Sequence, residues 1–247
     1  MRLFSASGDD LDDFALAELY AYPRARWLRA NMVSSADGAA FLESRTAGLS
    51  SPTDIRLFGL LRALADVVLV GAGTVRTEQY KPARRRAALA SLRAGRTATP
   101  PIALVSRALA LDLETPLFTD APPDARTIVI TCTASPADRR AAVARVADLI
   151  VAGDPLVDLG EAVAALRDLG LGRVLCEGGP HLFGSLVDAG VLDELCLSLA
   201  AVLAGPGAGR LSAGPTWANG PRPLTLALVV EADSFLFCRY LAWTDVG

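Results

Sequence analysis

The sequence predicts an α/β protein: a mainly parallel, mixed sheet flanked by helices, with an antiparallel hairpin at the C-terminal edge. Three observations carry this. Short apolar runs recur near 26–34, 66–70, 102–106, 127–131, 147–151, 173–177 and 193–200, and helical periodicity falls between several of them, around 135–145, 156–168 and 180–189. That alternation is the signature of βαβ units and a covered parallel sheet. Two of the runs end in glycine turns that lead into helices, Val70-Gly71-Ala72-Gly73-Thr74-Val75-Arg76 and Cys176-Glu177-Gly178-Gly179-Pro180-His181. Last, Leu224–Val230 and Ser234–Trp243 are separated only by Glu231-Ala232-Asp233, which is too short for a crossover, so the two pair antiparallel.

Taken in order, residues 10–20 read as an amphipathic helix ending before Pro23. They form a helical extension, 1–25, ahead of one domain over 26–247. Ser51-Pro52-Thr53-Asp54 opens a second helix with a capping hydroxyl and a proline in its first turn. Its apolar positions Ile55, Leu57, Phe58, Leu60, Leu61 and Leu64 make a core-facing stripe. The stretch from Lys81 to Pro101 has the least regular pattern. Its Arg84-Arg85-Arg86 run reads as a solvated face in preference to a phosphate site. The glycine-rich stretch from Ala204 to Arg210 has no helix after it and reads as a loop near the site.

Composition narrows the function. A net charge of −3 argues against a nucleic-acid partner. No apolar run approaches the ~20 residues of a membrane span, and Met1-Arg2-Leu3-Phe4-Ser5 leads into Asp9, Asp10, Asp12 and Asp13 instead of an apolar stretch, so a cytoplasmic protein is expected. Cys132, Cys176, Cys196 and Cys238 are far apart and form no CxxC or Cys/His cluster. They read as small buried hydrophobes, and no metal is expected. Lys81 is the only lysine among 24 basic residues, so a Schiff-base mechanism would have to use it.

A glycine turn between a strand and a helix lets the backbone approach a ligand, with the unpaired N–H groups of the helix start facing it. Phosphate is the natural guest, and two such turns point to a dinucleotide. The Rossmann fingerprint does not fit. Arg76 stands where a third glycine or alanine belongs, and no acidic residue follows about 20 residues on.

In combination, several segments resemble the pyrimidine reductase domain of bacterial riboflavin biosynthesis. These are Asn31-Met32-Val33-Ser34-Ser35-Ala36-Asp37-Gly38, Leu60-Leu61-Arg62, the Val70–Val75 turn, Val105-Ser106-Arg107, the 174–180 turn and Leu192-Asp193-Glu194-Leu195. The resemblance covers roughly 26–243. It implies a single dihydrofolate-reductase-like domain, a homodimer, and NADPH as hydride donor for reducing the ribose of 5-amino-6-(5-phosphoribosylamino)uracil. Nothing resembles the zinc deaminase fused to many relatives, and His181 is the only histidine.

By the same resemblance, cofactor contacts fall on Ser34, Gly71, Gly73, Thr74, Glu78, Ser106, Arg107, Gly178, Gly179, Pro180, His181 and Leu182. Ser106 and Arg107 are placed for a 2′-phosphate. Substrate contacts fall on Asn31, Thr46, Asp54, Arg62 and Glu177, with Asp54 and Glu177 as the catalytic carboxylates. Arg62 is expected to meet an anionic substrate group and Glu177 to accept from ring N–H groups. Asp37 reads as a turn residue beside the cleft. Two departures bear on the substrate. Asn31 replaces a lysine of the riboflavin-pathway reductases, and the Leu49–Asp54 segment is similar to dihydrofolate reductases, whose aspartate there binds the pterin. A pterin-type NADPH reductase and a non-catalytic NADP-binding protein therefore stand as alternatives.

Overall fold

The computed structural model describes residues 10–42 and 45–242; residues 1–9 and the predicted strand end Trp243 lie outside them. Helix α1 (Asp13–Leu19) is capped by Asp12, whose carboxylate accepts from the N–H groups of Phe14 and Ala15. It leads into β1 (Trp27–Ser35). Helix α2 (Pro52–Leu64) begins where Ser51-Pro52 predicts, with Ser51 Oγ accepting from Asp54 N at 3.1 Å. The chain continues through β2 (Val67–Gly71), α3 (Ala72–Thr77), β3 (Ile102–Val105), α4 (Pro116–Thr119), β4 (Ile128–Thr131), α5 (Ala137–Val146) and β5 (Asp148–Val151). It then runs through α6 (Leu159–Asp168), β6 (Arg173–Cys176), α7 (Pro180–Asp188), β7 (Glu194–Ala200), β8 (Leu224–Ala232) and β9 (Phe235–Ala242).

Among the described residues, nine strands form one sheet in the order β5-β4-β3-β2-β6-β1-β7-β9-β8. The first seven are parallel, and β9 and β8 add an antiparallel hairpin at the edge. Alternate strand residues face opposite cores. Val68, Val70, Leu104 and Val129 meet Leu57, Leu60 and Leu61 of α2 and Val143 of α5. Val67, Leu69, Ala103 and Ile130 meet α6 and α7 through Leu159, Val163, Leu182 and Leu186. From α1, Leu16 and Ala17 pack into the first of these cores.

Two details differ from the sequence reading. The hairpin turns at Asp233 and Ser234, both left-handed at φ 52° and 65°, and not at Glu231–Asp233. Paired positive φ values suit the right-handed twist of the flanking strands, and strand pairing therefore runs on to Ala232 with Phe235. The irregular 81–101 stretch contains a 3₁₀ segment, Ala87–Arg93. It also anchors the end of α2: Arg93 Nη1 donates to the carbonyls of Ala63 and Ala65, and Arg96 Nη1 to those of Leu64 and Ala65. These arginines fill acceptors that a helix C-terminus leaves open. The Arg84–Arg86 run is exposed, but Arg84 and Arg86 line the large cavity described below and Arg86 Nη2 donates to Ile55 O. All four cysteines are free and buried.

Candidate active site

Because β6 lies between β1 and β2, the crossover after β2 runs one way to β3 while that after β6 runs the other way to β7. Ligands in open α/β sheets bind in the crevice at such a reversal, beyond the carboxyl ends of the strands. Both glycine turns lie there and touch, with Gly71 N donating to Gly178 O at 2.8 Å. A cavity of about 1320 Å³ opens over them, larger than the ~300–1,000 Å³ of a single drug-sized site.

Its floor is a buried ionic cluster. Arg62 grips Glu177 with two parallel bonds, Nε to Oε1 and Nη2 to Oε2, both 2.7 Å, and Tyr80 Oη donates to Oε2 at 2.7 Å. The guanidinium is flanked by Phe58, one helical turn earlier on α2, at 4.4 Å and by Tyr80 at 5.6 Å. Burial alone would lower the Arg62 pKa, but the Glu177 carboxylate holds it above its ordinary value. Burial and, next, the charge of Glu177 push the Tyr80 phenol well above its usual range. Burial also raises the adjacent Cys176 thiol to about 12, so it is no nucleophile.

Arg62 lines the cavity as expected, and its guanidinium is engaged by Glu177 through Nε and Nη2. A carboxylate at the end of β6 with its side chain 2 % exposed needs a cation, and α2 supplies it. Asp54 lines the same cavity, and its Oδ2 accepts from Ser50 Oγ at 2.5 Å. The helix cap is made by Ser51, so the Asp54 carboxylate is not needed for it. Asn31 and Thr46 also line the cavity, and Thr46 donates from N and Oγ1 to Glu78 Oε1 at 3.0 and 3.3 Å.

Of the expected cofactor residues, Gly71, Gly73, Thr74, Glu78, Ser106, Arg107, Gly178, Gly179, Pro180, His181 and Leu182 line this cavity. Ser34 does not. Its parity on β1 points it toward α7, where it lines a separate cavity of about 510 Å³, and its hydroxyl donates to Ser35 O. The 204–210 loop lies at that second cavity too. Asp37 Oδ1 accepts from Ala204 N and Oδ2 from Gly205 N, and Ser35 Oγ donates to Oδ1. The Ser35 hydroxyl first and then these N–H groups lower the Asp37 pKa to about 2. Sequence reasoning missed Phe58, Arg76 and Tyr80. The i, i+4 spacing of Phe58 and Arg62 was the one available signal.

The glycine cradle fits a diphosphate. Gly73 has open space where a Cβ would stand, and α7 starts at Gly179 with no side-chain cap. At Gly179 (φ −76°) a Cβ would overlap Thr74 Oγ1. Gly179→Ala is therefore expected to cost stability, about 1–3 kcal/mol from overpacking, and to weaken binding of a nicotinamide dinucleotide about tenfold. Adding Thr74→Ala should return the thermal midpoint but not the affinity. Recovery of both in calorimetric titration would assign Gly179 to Thr74 alone.

Among the described residues, no helix is long and apolar enough to cross a membrane, and no cluster of His, Cys, Asp or Glu could hold a metal ion. The chain is 29 % identical over 209 residues to a 2,5-diamino-6-ribosylamino-4(3H)-pyrimidinone 5′-phosphate reductase from Archaeoglobus fulgidus, covering 83 % of this chain and 86 % of that one. A protein of the same description from Methanothermobacter thermautotrophicus is 26 % identical, over 71 % of this chain and 77 % of its own. A crystal structure of a pyrimidine reductase-like protein from Corynebacterium diphtheriae superposes with a TM-score of 0.80 at 28 % identity, covering 89 % and 93 % of the two chains. The family described as RibD C-terminal domain matches residues 26–229. Fold and sequence agree, and the chain belongs to the RibD C-terminal domain family.

Proposed function

We propose that this chain is an NADPH-dependent reductase of riboflavin biosynthesis that reduces the ribose of 5-amino-6-(5-phosphoribosylamino)uracil at C1. The meeting of the two glycine turns at the mouth of the large cavity carries the reductase part of this reading, together with the pyrimidine reductases this chain resembles; the uracil ring rests on the sequence resemblance. The nicotinamide, when bound, supplies the hydride. The protein binds, orients and excludes water. Gly178, Gly179 and the uncapped start of α7 receive the diphosphate, with Thr74 beside them. Ser106 and Arg107 receive the 2′-phosphate, joined by Arg76, whose guanidinium reaches the carbonyl of Ala110. Glu177, Asp54, Asn31 and Thr46 face the substrate. A homodimer is part of the proposal, since the outermost strand β8 exposes Leu226 by 54 %.

A second reading takes the 2-amino pyrimidinone as substrate, favoured by the names of the two archaeal relatives. The cofactor is tested by thermal unfolding with NADPH and NADH. A ligand at 100 times its Kd stabilises by about 2.7 kcal/mol, so NADPH should raise the midpoint clearly and NADH little. Equal shifts would remove the 2′-phosphate role from Ser106 and Arg107. Absence of NADPH oxidation with either pyrimidine would overturn the reductase reading.

A further inference from the structure

We infer that Tyr80 is a specificity-determining residue: its hydroxyl occupies Glu177 so that the carboxylate presents one remaining acceptor position, which selects a ring edge carrying a single N–H. The inference rests on the pyrimidine-reductase reading. A carboxylate offers about four acceptor positions. Arg62 Nε takes one on Oε1, and Arg62 Nη2 and Tyr80 Oη take both on Oε2. What is left is on Oε1, in a residue that lines the cavity. The carboxylate cannot swing to change this count, because Arg62 is itself fixed between Phe58 and Tyr80. The phenol keeps its proton, since burial and the charge of Glu177 both favour the neutral form.

Tyr80 is set in place by the first glycine turn. Gln79 is left-handed at φ 52°, and Tyr80 N donates to Val75 O at 3.0 Å. The same short helix that carries Thr74 to Gly179 thus carries the phenol to Glu177. In a uracil, N3–H lies between two carbonyls and offers one donor. In a 2-amino-4(3H)-pyrimidinone, N3–H stands beside an amino group, and the pair forms a fork suited to both oxygens of a carboxylate. With Oε2 already filled, the amino arm of that fork finds no second acceptor on Glu177 and loses the paired contact, which a site built from polar groups discriminates against.

The test compares kcat/KM for 5-amino-6-(5-phosphoribosylamino)uracil and for 2,5-diamino-6-ribosylamino-4(3H)-pyrimidinone 5′-phosphate. It uses the parent and Tyr80→Phe, which keeps the ring beside Arg62 and removes only the hydroxyl. The parent should favour the uracil by about tenfold or more, and Tyr80→Phe should erase about tenfold of that preference, mainly through KM, with the NADPH Kd unchanged. An unchanged ratio, with both compounds still reduced, overturns the inference and leaves the reductase reading standing. Equal KM values for the two compounds in the parent overturn it without any variant. A parent that reduces neither compound overturns the reading on which it rests.

Discussion

Glu194→Gln is expected to destabilise the fold by about 3–5 kcal/mol, the usual cost of leaving a buried charge without its partner. Glu194 and Arg29 are both 0 % exposed and are neighbours across β1 and β7. Arg29 Nε donates to Oε1 at 2.7 Å and Nη2 to Oε2 at 3.2 Å, Arg239 adds two further bonds, and Trp27 Nε1 donates to Oε2 at 2.7 Å. One carboxylate thus accepts from two guanidinium groups and an indole, with Arg29 Nη1 left without a hydrogen-bond partner, and an amide of the same shape would leave Arg29 as an uncompensated cation. The double variant Arg29→Met/Glu194→Leu should recover much of the loss, because similar apolar volume replaces the pair. Urea unfolding of the three proteins decides it, and a double variant as unstable as the single would show that packing, not charge, sets the cost. Burial alone would raise the Glu194 pKa, but Arg29 and Arg239 outweigh it and hold it below its ordinary value of 4.5. Its contribution is therefore present above that pH and is lost as the pH falls through the depressed value.

Much of the fold was legible because local chemistry and global topology agree in this chain. Ser51-Pro52 starts α2 where the capping rule places a helix, and each glycine turn closes a parallel strand at the crevice. What was not legible depended on partners distant in sequence. The bonds of Arg93 and Arg96 to the end of α2 read in sequence only as a basic stretch. Tyr80 carries no local signal, since its contact with Glu177 spans 97 residues. Arg62 was correctly brought to the cavity, yet its guanidinium is held by Glu177, and which of two ligands a cation takes is decided by burial. Ser34 is different. It lines the second cavity beside Phe183 and Val187, although Met32, which shares its parity on β1, lines the large one, so strand period alone does not place it. The hairpin turn was displaced because Asp233 and Ser234 adopt positive φ without glycine, so composition left their position unmarked.

The two carboxylates of the cavity should respond very differently to loss of charge. Glu177→Gln is expected to lower kcat/KM for the pyrimidine by roughly a hundredfold or more, about 3 kcal/mol of transition-state stabilisation. An amide nitrogen would replace either Oε1, to which Arg62 donates, or Oε2, to which Arg62 and Tyr80 both donate, so donors would face donors, and the acceptor left for the ring would be lost or turned away. Asp54→Asn should change the same quantity by less than about threefold. Ser51 still caps α2, and the asparagine carbonyl can still accept from Ser50 Oγ. For a dihydropterin the order reverses. Its amidine-like edge would need a full charge at residue 54 for a paired, charge-assisted contact, and asparagine there would cost several kcal/mol. Steady-state rates of the parent and both variants with the phosphoribosylamino-uracil and with dihydrofolate separate the two. Parental turnover of dihydrofolate alone, abolished by Asp54→Asn, would replace the pyrimidine with a pterin.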